Sequence, residues 1–384
     1  LCPVRLTDSQ RQTVVYWLPG FIAGALSWLA FIMLGNTPFI RASGLALVVV
    51  GMAMMLRRSG APLAIIGGLA LAFSPAFWSQ TGPANDLSLP LTIVAIGAAG
   101  VVALLLIRFS QRASLSLIAG FAIFAVLFWS QLSGTGSLRL TTLTTAWLLY
   151  LLIDGLFLTN PHPDDPPASS LKPRHTIGIL ILLAVGVINA PLFILLAPAV
   201  ALGMVLTHVR LPVWYWLLFA LIVGVGIYGV VDEYLSSTWW QYPAALAHAQ
   251  GIRVPFMLAD GWREAERWIT LVDLVIGQFT VVGVALGVLG LSRLSRWYPP
   301  VGTVTLVAYA MHALFGLVYF GNDGAVLLLP LLMVQIFWMT YAVYALGEWL
   351  QRSVKLPNRM LRWCAPAVYL WLPVLMLVRI TTTV

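Results

Sequence analysis

The sequence predicts an all-α, polytopic integral membrane protein with about 11–13 transmembrane helices, one membrane domain spanning residues 1–384. Two observations carry the membrane assignment. Of 384 residues, 60% are hydrophobic and only 9% are charged, whereas soluble domains carry about 25% charged residues. Such a chain lacks the polar surface to face water on all sides. Apolar runs of about 20 residues also recur from end to end, the length a helix needs to cross a hydrocarbon core of about 30 Å.

The runs fall at 14–34, 43–56, 61–78, 87–107, 113–133, 138–158, 176–206, 211–231, 269–291, 301–320, 325–347 and 361–380. The run at 43–56 is short for a full span. The run at 176–206 is long, and Asn189, Pro191 and Pro198 interrupt it. Proline removes a backbone donor and bends or breaks a helix.

Charges between the runs give the topology. Arg57/Arg58, Arg108/Arg112, Lys172/Arg174, His208/Arg210, Arg293/Arg296 and Arg352/Lys355/Arg359 mark one side, taken as cytoplasmic from the positive-inside bias. The opposite side holds 79–86, 134–139, 232–268 and 321–324. This alternation requires 176–206 to cross twice or re-enter.

The same bias accounts for the net charge of +8. Nucleic-acid binding needs a clustered basic face, and none is visible, so no nucleic-acid partner is expected. Membrane lipids are the expected surroundings, and a bacterial cytoplasmic membrane the expected location. Cys2 and Cys364 stand at opposite ends of the chain, which implies neither a disulfide framework nor a thiolate metal site.

Two connecting segments stand out. Residues 159–175 are rich in proline and read as a cytoplasmic linker. His162, Asp164 and Asp165 lie within it as a solvated cluster rather than metal ligands. Residues 232–268 form the longest extracytoplasmic loop. Its second half sets Arg263, Glu264, Glu266 and Arg267 between Trp262 and Trp268, a pattern that predicts a short helix lying in the interface.

No P-loop, GxSxG, HExxH or CxxC motif occurs, and no cofactor or metal is evident. His312 lies alone in an apolar run and reads as a hydrogen-bonded packing residue. Gly67-Gly68 and the glycines from Gly283 to Gly290 read as positions of close helix packing. What remains is a rim of polar and aromatic interruptions on the extracytoplasmic side: Trp78, Gln80, Asn85, Asp86, Gln278, Tyr319 and Asp323. Ordinary turns between membrane helices show the same pattern; read as a site, such a rim suits a sugar on a lipid carrier. Amides and carboxylates bind hydroxyls, a carboxylate serves as base, and Arg263 or Arg267 would hold the carrier phosphate.

Several stretches, in order, resemble the protein O-mannosyltransferase-like branch of the C-type membrane glycosyltransferases. They are AFSPAFWSQ (72–80), QFT (278–280) opening a glycine-rich helix, FGLVYFGNDGAVLLLP (315–330), and the kinked segment containing VINAPLFILLAP (187–198). The resemblance implies a GT-C-like helical bundle and inverting sugar transfer from a polyprenyl-phosphate donor to a protein or glycan acceptor on the extracytoplasmic side. It also implies Asp8, in the first loop, as the base. Where the family has a second acid the chain has Gln10, and where it has a glutamate and a histidine the chain has Asn85 and Asn189. Those replacements point to the alternative function, a catalytically degenerate relative kept as an accessory subunit with partners in a membrane complex.

Overall fold

The computed structural model describes residues 8–83, 137–161, 171, 173–232, 256–257, 260–320, 324–353 and 358–383. These residues are helical almost throughout. In chain order the helices are α1 (Asp8–Met33), α2 (Phe39–Met55), α3 (Ala61–Ala72), α4 (Pro75–Trp78), α5 (Ser137–Thr159), α6 (Pro173–Asn189), α7 (Ala197–Leu206) and α8 (Val213–Val230). There follow α9 (Ala265–Trp297), α10 (Pro299–Val318), α11 (Gly324–Leu327), α12 (Leu329–Ser353), α13 (Asn358–Tyr369) and α14 (Trp371–Thr383). A two-residue antiparallel pair sets Phe256 opposite Phe320 and Met257 opposite Tyr319. Among the described residues, seven helical stretches are long and apolar enough to cross a membrane, which makes this an all-α polytopic membrane protein. The predicted runs at 87–107 and 113–133 lie outside the described residues.

Apolar patterning decides which helices are central. The spanning window of α12 is 89% buried and that of α5 is 83% buried, against 17% for α8. Leu217, Leu221, Val225 and Tyr228 of α8 are exposed, and a helix apolar on all sides belongs in lipid. Lipid gives no hydrophobic drive between helices, so close packing must hold them together. In α9 the glycines supply it. A Cβ on Gly287 would collide with the amide of Gln335, and one on Gly290 with the backbone carbonyl of Trp338. The Gln335 amide donates to the Gly283 carbonyl at 3.1 Å across the same contact. Gly68 lets α3 lie against Ala23, Val49 and Ala53.

Contacts at the helix ends bring several of the basic connections together. Asp154, near the end of α5, is paired with Arg57 at 3.5 Å and Arg58 at 3.7 Å. Asn160 donates to the Leu206 carbonyl at 3.0 Å. Arg58, Trp297 and Arg352 line one cavity. These described basic connections therefore meet at one end of the bundle, called here the basic end. At the opposite end the Asn189 amide donates to Thr141 at 2.9 Å, near the start of α5.

The run 176–206 accordingly crosses twice. Helix α6 rises to Asn189, Ala190 is extended, a 3-10 turn runs over Pro191–Leu196, and α7 returns. The expected separate interfacial helix in 260–268 takes another form. Gly261–Arg263 is a single 3-10 turn, Glu264 is extended, and the spanning helix α9 begins at Ala265. Trp262 and Trp268 are half exposed, and the Trp268 indole donates to the Trp262 carbonyl at 2.7 Å.

Candidate functional site

The end opposite the basic loops gathers most of the rim residues that are described. Ser74 is extended and Pro75 follows at the first helical position, where a fixed φ and a missing N–H cost nothing. The short helix α4 results. It buries Phe77 against Phe31 and packs Trp78 on Phe31 and Phe73. Beyond it the chain turns at Gly82, whose φ of +126° suits glycine. Thr37 accepts the Gly82 N–H at 3.2 Å, and Arg41 donates to the Gly82 carbonyl at 3.2 Å. Gln80 is buried within this turn, at 5% exposure.

The second predicted landmark meets the first. The Gln278 side chain, through Oε1, accepts the backbone N–H of Ala76 at 3.0 Å, across 202 positions of sequence. An orphan donor in the first turn of α4 is thereby satisfied from α9. Two residues further on, α9 breaks. Thr280 has φ +64° and ψ +170°, a region that a β-branched residue enters only under strain, at about 1–3 kcal/mol. Its hydroxyl is buried and has no hydrogen-bond partner among the described residues. A break strips carbonyls in the preceding turn of their intrahelical donors, and Arg379 of α14 donates to the Gly277 carbonyl at 2.8 Å. Replacing Thr280 with glycine is expected to raise stability by about 1 kcal/mol, read as a higher unfolding midpoint in detergent. A lower midpoint would mean that the hydroxyl matters to the fold.

Below the rim lies a cavity of about 90 Å³. Thr141, Thr142 and Thr145 of α5, Asn189 at the tip of α6, and His312 and Phe315 of α10 line it. His312 is buried, and its Nδ1 lies 2.9 Å from the Ala308 carbonyl, the packing role expected from sequence. Phe315 stacks on Tyr319 with ring centroids 5.0 Å apart. The cavity thus joins Asn189 of the kinked segment to the 315–330 stretch.

The two arginines assigned to a carrier phosphate stand in different settings. Arg267 donates to the carbonyls of Gly316 at 2.8 Å and Leu317 at 3.3 Å, and also to that of Tyr319. It caps the end of α10. Arg263 is exposed, with its guanidinium 5.0 Å from the Trp262 ring centre. Asn85, Asp86 and Asp323 lie outside the described residues.

Asp8 is not brought to this rim. It begins α1, a helix of 26 residues, about 39 Å long at 1.5 Å per residue. Eight residues on, Tyr16 lies under the Arg57 guanidinium at 3.5 Å and beside the Tyr150 hydroxyl at 3.0 Å, at the basic end. It is Phe31, near the far end of α1, that meets Phe77 and Trp78. The placement of Asp8 beside Trp78 and Gln80 is therefore corrected: the length of a helix separates them.

Sequence reasoning passed over Arg41. It is 7% exposed, sits in the first turn of α2 and touches the turn that contains Gln80. A lone cation at the head of an apolar run was the available signal, since buried charges near a membrane mark functional positions by default. The chain matches no family model, no curated protein and no solved structure.

Proposed function

We propose that the protein is an integral-membrane glycosyltransferase-like protein that transfers sugar from a polyprenyl-phosphate donor at the end of the bundle away from the basic loops. The observation that carries this reading is the Gln278–Ala76 hydrogen bond. It unites two stretches that resemble landmarks of the same family and sets them beside one polar rim. Trp78 offers an aromatic face to a sugar, Gln278 and Gln80 offer amides, and Arg41 and Arg263 offer cations for a carrier phosphate. Because Asp8 stands at the other end, this reading assigns the base to Asp86 or Asp323, the two acids among the predicted rim residues.

The test is transfer by the purified protein in liposomes supplied with a lipid-linked sugar. Transfer should fall about 100-fold or more in Asp86→Asn or Asp323→Asn, the usual cost of losing a general base, and stay unchanged in Asp8→Asn. The position of Asp8 favours a second reading, an accessory subunit derived from such an enzyme. That reading requires no transfer with any lipid-linked donor, together with stoichiometric partners on purification.

A further inference from the structure

A cavity of about 370 Å³ lies at the basic end, away from the rim. Four parts of the chain build it: the turn between α2 and α3, the end of α5, the junction of α9 with α10, and α12 from Phe337 to Arg352. Its walls are aromatic. Tyr298 packs edge-on to Phe157 at 4.8 Å and to Tyr341 at 6.4 Å, and Trp297 also packs against Tyr341. Arg58 and Arg352 line it from opposite parts of the sequence.

The charges select the sign of the ligand. Three arginines (Arg57, Arg58 and Arg352) face two carboxylates (Asp154 and Glu348) in these contacts, leaving a surplus of one positive charge. The single carboxylate of Asp154, 8% exposed, is shared between Arg57 and Arg58. Glu348 is engaged on both oxygens: the Tyr344 hydroxyl donates to Oε1 at 2.6 Å, and Arg352 lies 3.6 Å from Oε2. With both acids engaged by arginines and a positive surplus left over, the cavity favours an anion over a cation.

Arg58 is also held in place. It belongs to a 3-10 turn closed by Gly60 at φ +103°, and its guanidinium lies 4.9 Å from the Phe157 ring centre. Little freedom remains to be lost when an anion binds.

We propose that this cavity binds a phosphate group at the membrane surface, with Arg58 and Arg352 as its charged donors and Tyr298 and Tyr341 as its aromatic walls. Guanidinium groups pair with phosphate through two parallel hydrogen bonds, and a mouth flanked by snorkelling arginines suits headgroup depth. The site stands apart from the proposed sugar-transfer rim and does not depend on it.

Two probes separate a lipid headgroup from a soluble phosphate. The purified full chain would be titrated with short-chain phosphatidic acid in detergent and, separately, with inorganic phosphate, reading Trp fluorescence and thermal shift. Saturable binding is expected to weaken about tenfold for each of Arg58→Gln and Arg352→Gln, with unfolding midpoints near that of the parent. Arg293→Gln, whose residue is outside this cavity, should bind as the parent does. Binding of phosphatidic acid alone assigns a lipid headgroup; binding of both probes with equal affinity assigns a soluble phosphate ester. Absence of saturable binding by either probe, or equal binding by the parent and both cavity variants, overturns the proposal.

Discussion

Gly290→Val is expected to lower stability by about 3 kcal/mol or more, the upper range for forcing atoms into a packed contact. The Trp338 carbonyl occupies the space a side chain would need, and backbone cannot swing aside as a side-chain tip can. Helices α9 and α12 would have to separate, and α12 is the most buried spanning helix described. Gly224→Ala is the matched control. It lies on the exposed α8 with nothing within 4 Å of a Cβ, so helix propensity alone should leave it neutral or slightly more stable. The measurement is the unfolding midpoint of both variants in the same detergent. A Gly290→Val midpoint equal to that of Gly224→Ala would mean that the two helices do not touch there.

Arg267→Ala is expected to cost about 2–4 kcal/mol, since hydrogen bonds to a charged group contribute about 1.5–3 kcal/mol each and do not add in full. The guanidinium answers carbonyls of Gly316, Leu317 and Tyr319 at the end of α10. Those acceptors fan out over one helical turn, which suits a planar fork of five donors. Arg267→Lys should therefore recover only part of the loss. Proteolysis after residue 318, followed with temperature, reports local fraying there. Stability equal to the parent in Arg267→Ala would show that water serves these carbonyls as well as the arginine does.

Much of the fold could be read from sequence because membrane helices obey a length rule and a charge rule at once. The boundaries at Arg57-Arg58, Trp297 and Ser353 follow from basic residues closing apolar runs. The double crossing of 176–206 follows from Asn189-Ala190-Pro191 and the alternation of loop charge. Asp8 is the instructive failure. Positive-inside counting puts it with the basic loops if 43–56 spans, whereas the family resemblance puts it at the rim. Helix α2, with 17 residues, does run the length of the bundle. It reads as short because it is buried along most of its length, and a helix wrapped in protein need not match the bilayer.

The site was legible only as scattered landmarks. Nothing local in QFT announces that Gln278 bonds to Ala76, because that contact exists only once two distant helices are packed. The break at Thr280 runs against propensity, for a β-branched residue is a poor choice at positive φ. Arg41 was hidden by its own context, since one cation among apolar neighbours looks like the edge of a run rather than part of it.

The fold at Asn189–Pro191 also has a consequence for parity. A chain that enters and leaves the bundle within 176–206 returns to the end it came from, so that stretch counts as zero in any tally of crossings. Reporters fused just before Pro173 and just after Arg210 should therefore lie in the same compartment. A reading that takes this single long apolar run for one helix would invert the assigned side of every loop after it, from α8 to α14.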